Sequence, residues 1–559
     1  MTGLNAVYNL ALADFLERIR RFSFLVVLGM TALAGYSMVP SAGASYNGFV
    51  MAGCRGVYNS PWIGTIVGIT VVSLLSLIGF YLVKDSVARD YDTRVGQIVA
   101  ATPVSRLEYV AGKWLSNLAV LSSILLVLTL VAVIMRLVRG EVPSLDLPGL
   151  IAPIWLISLP VLAWVAAFAV LFETIPLLRG SFGYVIFMAL WMWMLLVVSV
   201  LPMFVKPGEI TPHNDFMGIS TSISDMARSM TEQGFDMSKG TTDIGQPTEG
   251  HTVEHFMWKG VRWWPGPAFG RLLWLAGSCA VVILSAIPFD RFDPARQGRR
   301  GKRSEAKHPR GKRGGIFAWR RRIPISGAGT NNAQSGEDGP MERSILYGKI
   351  TPPAVSTRGN LRTIAIFELR LLLAGRNRWW YLGALLSIVL SGALTSEGMR
   401  ALFLAIAWFW PATAWSLMGS RETHFRSSAI VFSAARPVKT QLPAVWLAGA
   451  LLALIMGAGQ ILRLVITGNP AQVFGLAAGA AFVSALALAL GVVTNGSRAF
   501  QIVYPILCYI GLSGRFIWFD YKGINVESMA AGIPLLYLAM AAGLLVLAAK
   551  GRARQVRGI

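Results

Sequence analysis

The chain has 559 residues, of which 54% are hydrophobic and only 14% are charged, and its formal net charge at pH 7 is +23. A soluble protein of this length carries a larger share of charged residues on its surface, so the composition excludes an ordinary soluble enzyme and indicates a membrane protein. Apolar runs of about twenty residues recur along the chain, and this is the helix length that crosses a bilayer. We therefore predict an all-α, polytopic membrane fold.

The first predicted element is a helix at 4–22 that lies on the membrane surface. Apolar residues recur there at helical spacing, while Asp14 and Arg18 lie away from the apolar face, which is typical of an amphipathic helix. Six membrane spans are predicted to follow it, at roughly 23–40, 61–83, 114–135, 149–172, 182–204 and 270–289.

The second part of the chain repeats this order of elements. It opens with another surface helix, predicted at 361–378. Six further spans are predicted at roughly 379–395, 399–419, 443–465, 471–492, 499–514 and 531–549. The sequence therefore predicts about 12 spans in two related six-helix halves, at 1–290 and 358–559.

A linker at 291–357 separates the two predicted halves. It contains the basic string QGRRGKRSEAKHPRGKRGG and a tract rich in Gly, Ser and Asn, a composition typical of a flexible segment. Runs of Lys and Arg also bind nucleic-acid phosphates. For a segment joined to membrane spans, attraction to anionic lipid is the simpler interpretation, so we predict contact with the bilayer and no specific nucleic acid.

Basic residues next to the outermost spans predict the orientation of the chain. Arg18, Arg20 and Arg21 precede the first span, and Lys550 and Arg552 follow the last one. Because Lys and Arg are enriched in cytoplasmic loops, and because an even number of spans returns the chain to its starting side, both termini are predicted to be cytoplasmic in a multi-pass cell (inner) membrane protein.

The segment at 206–267 is then a long extracytoplasmic loop. Three tryptophans near its end, Trp258, Trp263 and Trp264, come shortly before a predicted span. Tryptophan is enriched where a span meets the headgroup region, so this cluster predicts an interfacial aromatic belt.

Two charged segments, at 84–113 and 420–441, interrupt the apolar runs between the second and third spans of each half. Both contain an acid, an Arg, small apolar residues and a Pro-Val pair, and a Trp follows each. An acid near a helix start favours the helix dipole, a small apolar stretch fits a groove and Pro ends a helix, so each segment predicts a docking helix. The candidate docking residues are Asp90, Asp92, Arg94, Thr102, Pro103, Arg106, Glu422, Arg426, Arg436 and Pro437.

The string RDYDTRVGQIVAATPVSRLEYVAGKW, with Thr-Pro-Val-Ser followed by Gly-Lys, resembles the permease subunits of type-2 ABC exporters, the ABC-2 family. The resemblance implies that 4–22 and 361–378 are elbow helices and that 84–113 and 420–441 are coupling segments. It also implies export through a path between the halves, driven by two copies of a cytoplasmic ATP-binding subunit. The second segment lacks Thr-Pro-Val-Ser and Gly-Lys, so we expect the first to be more sensitive to mutation.

A phosphate-binding loop is absent from the sequence. No G-x-x-x-x-G-K-[ST] string occurs, and GRRGKR at 298–303 lacks both the spacing and the hydroxyl. We therefore expect that the chain is not an enzyme, that it binds no cofactor itself, and that ATP and magnesium bind the partner subunit. No motif indicates the transported substrate.

A five-residue string, His251-Thr-Val-Glu254-His255, points to a different class of protein. On a helix the two histidines fall one turn apart and could bind zinc beside a glutamate base, as in inverted zinc peptidases. The string lies in a Gly- and Thr-rich loop, and spacing assigns no third ligand among the available His213, Asp215 and Glu249. A membrane zinc peptidase is therefore the less favoured alternative.

Charged residues near the predicted span ends leave one more alternative. Snorkelling toward the interface accounts for Arg136, Glu173, Arg271 and Arg463. A proton-driven carrier is expected to have a series of acids or histidines in the middle of the membrane, and the sequence has none. An ion-coupled secondary transporter built from two repeats needs no ATPase and is kept as the second interpretation, although this charge pattern does not favour it.

Overall fold

A computed structural model describes residues 3–20, 22–41, 46–176, 178–179, 181–204, 215–235, 242–247, 254–290, 292, 361–376, 378–433, 437–512 and 517–557. The described residues all belong to one compact unit, which combines Met1–Phe292 with Leu361–Ile559. The predicted linker falls almost entirely within 293–360, which lies outside the described residues.

Helices dominate the described part of the chain before the linker. They are α1 (Gly3–Ile19), α2 (Phe22–Met38), α3 (Ser60–Val83), α4 (Ser86–Asp92), α5 (Val95–Ala101), α6 (Arg106–Arg139), α7 (Leu147–Thr174), α8 (Ser181–Phe204), α9 (Ile219–Glu232) and α10 (Gly266–Ala286). Local sequence starts several of them: Ser105 and Glu108 form a capping box before α6, and Asp146 accepts a hydrogen bond from Gly149 N at the start of α7.

Helices also dominate the part after the linker. They are α11 (Leu361–Leu373), α12 (Arg378–Ala393), α13 (Glu397–Phe409), α14 (Ala412–Trp415), α15 (Arg421–His424), α16 (Ser428–Phe432), α17 (Pro437–Met456), α18 (Ala458–Ile466), α19 (Pro470–Thr494), α20 (Arg498–Leu512), α21 (Val526–Ala530) and α22 (Ile533–Arg557), with a short 3-10 turn at Ile517–Phe519.

Within the described residues, seven helical stretches are long and apolar enough to cross a membrane. They contain α3, α6, α7, α10, α17, α19 and α22. This confirms a mostly helical, membrane-embedded protein. The other five predicted spans coincide with α2, α8, α12, α13 and α20, which do not belong to this set.

The same pairs of helices pack together before and after the linker. α1 packs on α6, α6 on α7 and α7 on α10; in the same order, α11 packs on α17, α17 on α19 and α19 on α22. Small residues allow close approach: a Cβ at Gly64 of α3 would overlap the Leu150 carbonyl of α7. The two parts meet where α3 packs on α20 and where the Trp191 and Tyr509 rings lie 5.1 Å apart.

A small sheet departs from the all-α prediction. Its strands, β1 (Tyr46–Met51), β2 (Cys54–Gly56), β3 (Thr242–Pro247) and β4 (Glu254–Phe256), lie in the order β3-β1-β2-β4. The sheet was not predicted because two loops far apart in the chain supply its strands, and β4 pairs with β2 in parallel. Short strands carry too few residues for a clear alternating pattern.

The aromatic residues beside this sheet form a core. Trp62 at the start of α3 is buried and contacts Phe49, Phe256 and Trp258 through ring edges. Trp258 is only 1% exposed, whereas Trp264 is 72% exposed. The prediction of an interfacial belt is therefore wrong for Trp258, whose ring packs against the sheet and α3.

Candidate functional site

Each predicted coupling segment is two short helices rather than one. In the first segment, Arg94 lies between α4 and α5 with φ of 63°, and in the second Arg426 lies between α15 and α16 with φ of 53°. A non-glycine residue in this left-handed region costs roughly 1–2 kcal/mol. The single docking helix that the sequence predicted is thus wrong, and the break falls at the same point in both segments.

An exposed isoleucine follows each left-handed arginine by four residues. Ile98 of α5 is 68% exposed and Ile430 of α16 is 79% exposed. Arg94 and Arg426 are exposed as well. Each segment therefore presents an arginine and an isoleucine outward. Both isoleucines belong to the small apolar stretches of the charged segments, but the sequence did not mark them as candidates.

The predicted acids behave differently from the arginines. Asp90 is buried, accepts a hydrogen bond from Tyr109 Oη at 2.6 Å and lies 2.8 Å from Lys113 Nζ. It lies near the end of α4, whose first turn contains no acid, so the helix-dipole role predicted for it is wrong. The side chain of Asp92 lies outside the described part.

The remaining candidates of the first segment lie between α5 and α6. Thr102 Oγ1 donates to Val99 O at 2.7 Å and closes the end of α5. Pro103 is exposed and comes after α5 ends, as predicted for a residue that stops a helix, and Arg106 begins α6. In the second segment Pro437 begins α17, whereas Arg436 lies outside the described residues.

A buried acid on α1 joins the first segment to the rest of the molecule. Asp14 contacts Lys113 Nζ at 2.9 Å and Ser116 Oγ at 2.7 Å, and it forms ion pairs with Arg18 and Arg89. The first charged cluster consists of Asp14, Arg18, Arg89, Asp90, Tyr109, Lys113 and Ser116. Through it α1, α4 and α6 are held at one point.

Helix α1 keeps an apolar face outward, but it buries the acid that the sequence placed away from that face. Leu4, Tyr8 and Leu12 face outward, while Asp14 is buried against α6. Burial alone raises the pKa of Asp14, but Arg18, Lys113, the Ser116 hydroxyl and Arg89 outweigh it and hold the pKa well below its ordinary value. Asp14 is therefore an ionised internal partner of three cations.

A second buried acid reaches the first segment from α7. Glu173 is 1% exposed, and its carboxylate accepts hydrogen bonds from the backbone N–H groups of Ser86, Val87 and Ala88 at 3.0, 2.6 and 2.8 Å. Snorkelling, which the sequence suggested, is therefore wrong for Glu173. The only sign of this role in the sequence is the position of Glu173, a lone acid at the end of an apolar run.

The second segment has a corresponding but simpler arrangement. Glu368 of α11 pairs with Arg421, as Asp14 of α1 pairs with Arg89. Glu422 is buried, accepts a hydrogen bond from Gln441 Nε2 at 3.1 Å and lies 3.2 Å from Arg552 Nη2. These residues, Glu368, Arg421, Glu422, Gln441 and Arg552, are the second charged cluster.

The spacing of these contacts is the same in both segments. Nineteen residues separate Asp90 from Tyr109, and nineteen separate Glu422 from Gln441. The tryptophans that follow also correspond, because Trp114 Nε1 donates to Ala163 O at 3.0 Å and Trp446 Nε1 donates to Ala481 O at 3.1 Å. The similarity in sequence between the two charged segments is thus matched by equivalent side-chain contacts.

Snorkelling also fails for two of the arginines. Arg136 is buried and donates to Val142 O at 2.7 Å and Ser144 O at 2.6 Å. Arg271 is buried too, and donates to Asp215 O at 2.7 Å. These carbonyls lie in the loops after α6 and before α9, so each buried guanidinium holds a loop against the helices.

Arg463 forms weaker contacts of the same kind. Its Nη1 donates to Gly392 O and Leu394 O, both at 3.2 Å, where α12 ends. The side chain is partly exposed, unlike those of the two buried arginines.

The described end of the H-x-x-E-H string is a strand rather than the helix that a zinc site of this kind needs. Glu254 and His255 are exposed neighbours in β4, so their side chains point to opposite faces of the strand. His251, His213 and Glu249 lie outside the described residues, and Asp215 is buried and accepts hydrogen bonds from Gly218 N and Thr221 N. Among the described residues no three His, Cys, Asp or Glu side chains are grouped to hold a metal.

Taken together, the helices and the two charged clusters define a polytopic, helical, membrane-embedded protein. Compared with protein-family models, curated proteins and solved structures, the chain matches none.

Proposed function

We propose that the chain is the membrane-spanning permease of an ATP-driven exporter of the type-2 ABC class. In this proposal it has twelve spans in two halves, its termini are cytoplasmic in the cell membrane, and its two coupling segments bind two copies of a cytoplasmic ATP-binding subunit. ATP and magnesium belong to that subunit. The substrate passes along a path between the halves, and no residue of this chain performs covalent chemistry.

One observation carries the proposal: each coupling segment exposes an arginine and an isoleucine at equivalent positions. Ile98 and Ile430 are highly exposed, and each follows a left-handed arginine by four residues. A groove on a helical or loop partner can cover the apolar side chain while the neighbouring arginine pairs with an acid at its rim. Two such contacts at equivalent positions suit a partner with two-fold symmetry.

The charged clusters support a mechanical role for these surfaces. Because Asp14 and Asp90 share Lys113, a push on α4 reaches α1 and α6 through buried ion pairs. Buried charged groups with good geometry have few alternative arrangements. When α4 moves, the paired side chains therefore keep their contacts and α1 and α6 move with it. Closing of the partner subunits would thereby tilt the spans and alternate access to the path.

The test is isolation of the chain from native membranes with photo-crosslinking by an azido analogue of ATP. We expect a labelled subunit to co-purify with the unmodified chain, and the double variant Ile98→Glu, Ile430→Glu to retain about tenfold less of it, because two central apolar contacts become charged.

The matched control is Ile466→Glu. Ile466 is 76% exposed and ends α18, which follows α17 away from the coupling segments, so this change should leave the labelled subunit in place. Absence of any labelled subunit from the unmodified chain, together with ion-gradient transport by the chain alone, would replace the proposal with a secondary transporter.

A further inference from the structure

The first coupling segment is not a continuation of the helix before it. The last backbone hydrogen bond of α3 runs from Lys84 N to Phe80 O, and Asp85 then takes a left-handed conformation with φ of 73°. The helical backbone is therefore interrupted between α3 and α4. A rotation or tilt of α3 does not pass to α4 through a shared ladder of hydrogen bonds.

A carboxylate from another helix holds α4 instead. Glu173 lies in the last turn of α7, and its two oxygens accept hydrogen bonds from the N–H groups of Ser86, Val87 and Ala88 and from the Ser86 hydroxyl. The first N–H groups of a helix have no partner inside it, and hydrogen bonds to a carboxylate are about twice as strong as neutral ones. The start of α4 is thus fixed to the end of α7.

The second coupling segment is held in another way. Its backbone continues from α14 through successive turns, with Met418 N donating to Trp415 O at 3.0 Å and His424 N to Ser420 O at 2.9 Å. Its buried acid is bound from the last helix, because Arg552 of α22 lies 3.2 Å from Glu422.

The same arginine also covers the second short helix of that segment. Arg552 Cζ lies 5.0 Å from the centre of the Phe432 ring, which is buried. A guanidinium over an aromatic face at this distance is an attractive contact. One side chain of α22 therefore holds both α15 and α16.

We propose that Glu173 is the positioning residue that couples the first coupling segment to α7, and that Arg552 couples the second to α22. We call α7 and α22 the levers of the two segments, meaning the helices whose movement displaces them. The two segments then move with different helices: the fourth predicted span in the first half and the last predicted span in the second. The mechanical meaning of these levers rests on the proposed function, whereas the two attachments do not.

The test is amide hydrogen exchange of the full chain in lipid nanodiscs, followed by mass spectrometry of peptides from 84–93 and 421–432. Glu173→Gln keeps the shape of the side chain but removes its charge, and should speed exchange in the first peptide roughly tenfold to a hundredfold while the second stays unchanged. Arg552→Gln should have the converse effect.

The matched control is Asp146→Asn, the same kind of change at the opposite end of α7, where the carboxylate accepts a hydrogen bond from Gly149 N at 3.0 Å. It should alter neither peptide. A merely structural role for Glu173 would instead speed exchange across both peptides and the α19 core together, and that result, or no change in the first peptide, overturns the inference.

The outcome separates this inference from the proposed function. If the two variants loosen only their own segments but no ATP-binding subunit co-purifies with the unmodified chain, the levers stand and the exporter proposal fails. If the subunit co-purifies but both variants loosen both segments alike, the exporter proposal stands and the two-lever inference fails.

Discussion

The two charged clusters have acids at equivalent positions, but Asp90 and Glu422 pair with cations from different helices. In the first, Lys113 contacts both Asp14 and Asp90, so the acid of α1 and the acid of α4 belong to one network. In the second, Glu368 pairs with Arg421 while Glu422 pairs with Arg552, and among the described residues no shared cation joins the two acids.

The difference has a simple origin in the sequence. Lys113 lies four residues after Tyr109, and Val445, which is buried, lies four residues after Gln441. The second part therefore lacks the lysine that joins the two acids, and the last helix supplies the cation for Glu422. Equivalent positions thus hold the buried acids, whereas the cations that pair with Asp90 and Glu422 come from α6 and α22.

The largest effect is expected from Asp14→Ala. Removing the carboxylate leaves Arg18 and Lys113 buried with fewer anionic partners, and breaking a buried network of this kind costs about 3–5 kcal/mol. Thermal unfolding in detergent should show a clearly lowered midpoint. Glu17→Ala is the control, because Glu17 is half exposed and 3.5 Å from Arg89, so its loss should cost less than about 1 kcal/mol.

A smaller effect is expected from Glu368→Ala. Its carboxylate is buried, but Arg421 is partly exposed and can turn to solvent, so the loss should be roughly 1.5–3 kcal/mol. The same thermal measurement compares it with Asp14→Ala. A larger loss for Glu368 than for Asp14 would contradict the view that the first cluster is the more strongly connected one.

Gly96→Ala sharpens the comparison further. A Cβ at Gly96 would overlap the ring of Phe292, and overpacking of this kind costs about 1–3 kcal/mol. The second segment has Ser428 at the matching place, two residues after Arg426, so only the first needs a glycine. Gly398→Ala in α13 meets open space and should be neutral or stabilising by up to about 1 kcal/mol in the same unfolding assay.

The smallest effect is expected from pH. The lowered pKa of Asp14 means that its stabilisation is fully present above its ordinary value of 3.8 and is lost only as pH falls through the lower folded value. The difference in unfolding midpoint between the unmodified chain and Asp14→Asn should therefore stay constant from about pH 5 to pH 8. A difference that shrinks within this range would show that Asp14 is not held as an ionised partner.

Local signals in the sequence predicted much of the fold. Apolar runs marked the helices, and Pro103 marked the end of α5. The similarity between the two charged segments marked the equivalent acids Asp90 and Glu422, whose hydrogen-bond partners lie at the same spacing. These features depend on residues close together in the chain, so a pattern in one segment was enough to find them.

The sequence alone determined that the protein is helical and membrane-embedded and that two charged segments correspond. Only the tertiary structure decided that Asp14 faces inward, that Glu173 holds α4 and that the loops form a sheet. The physical reason is that a charge near a span end has two ways to satisfy its hydrogen-bonding groups, water outside or a partner inside. That partner lies tens of residues away, so its position depends on how the helices pack.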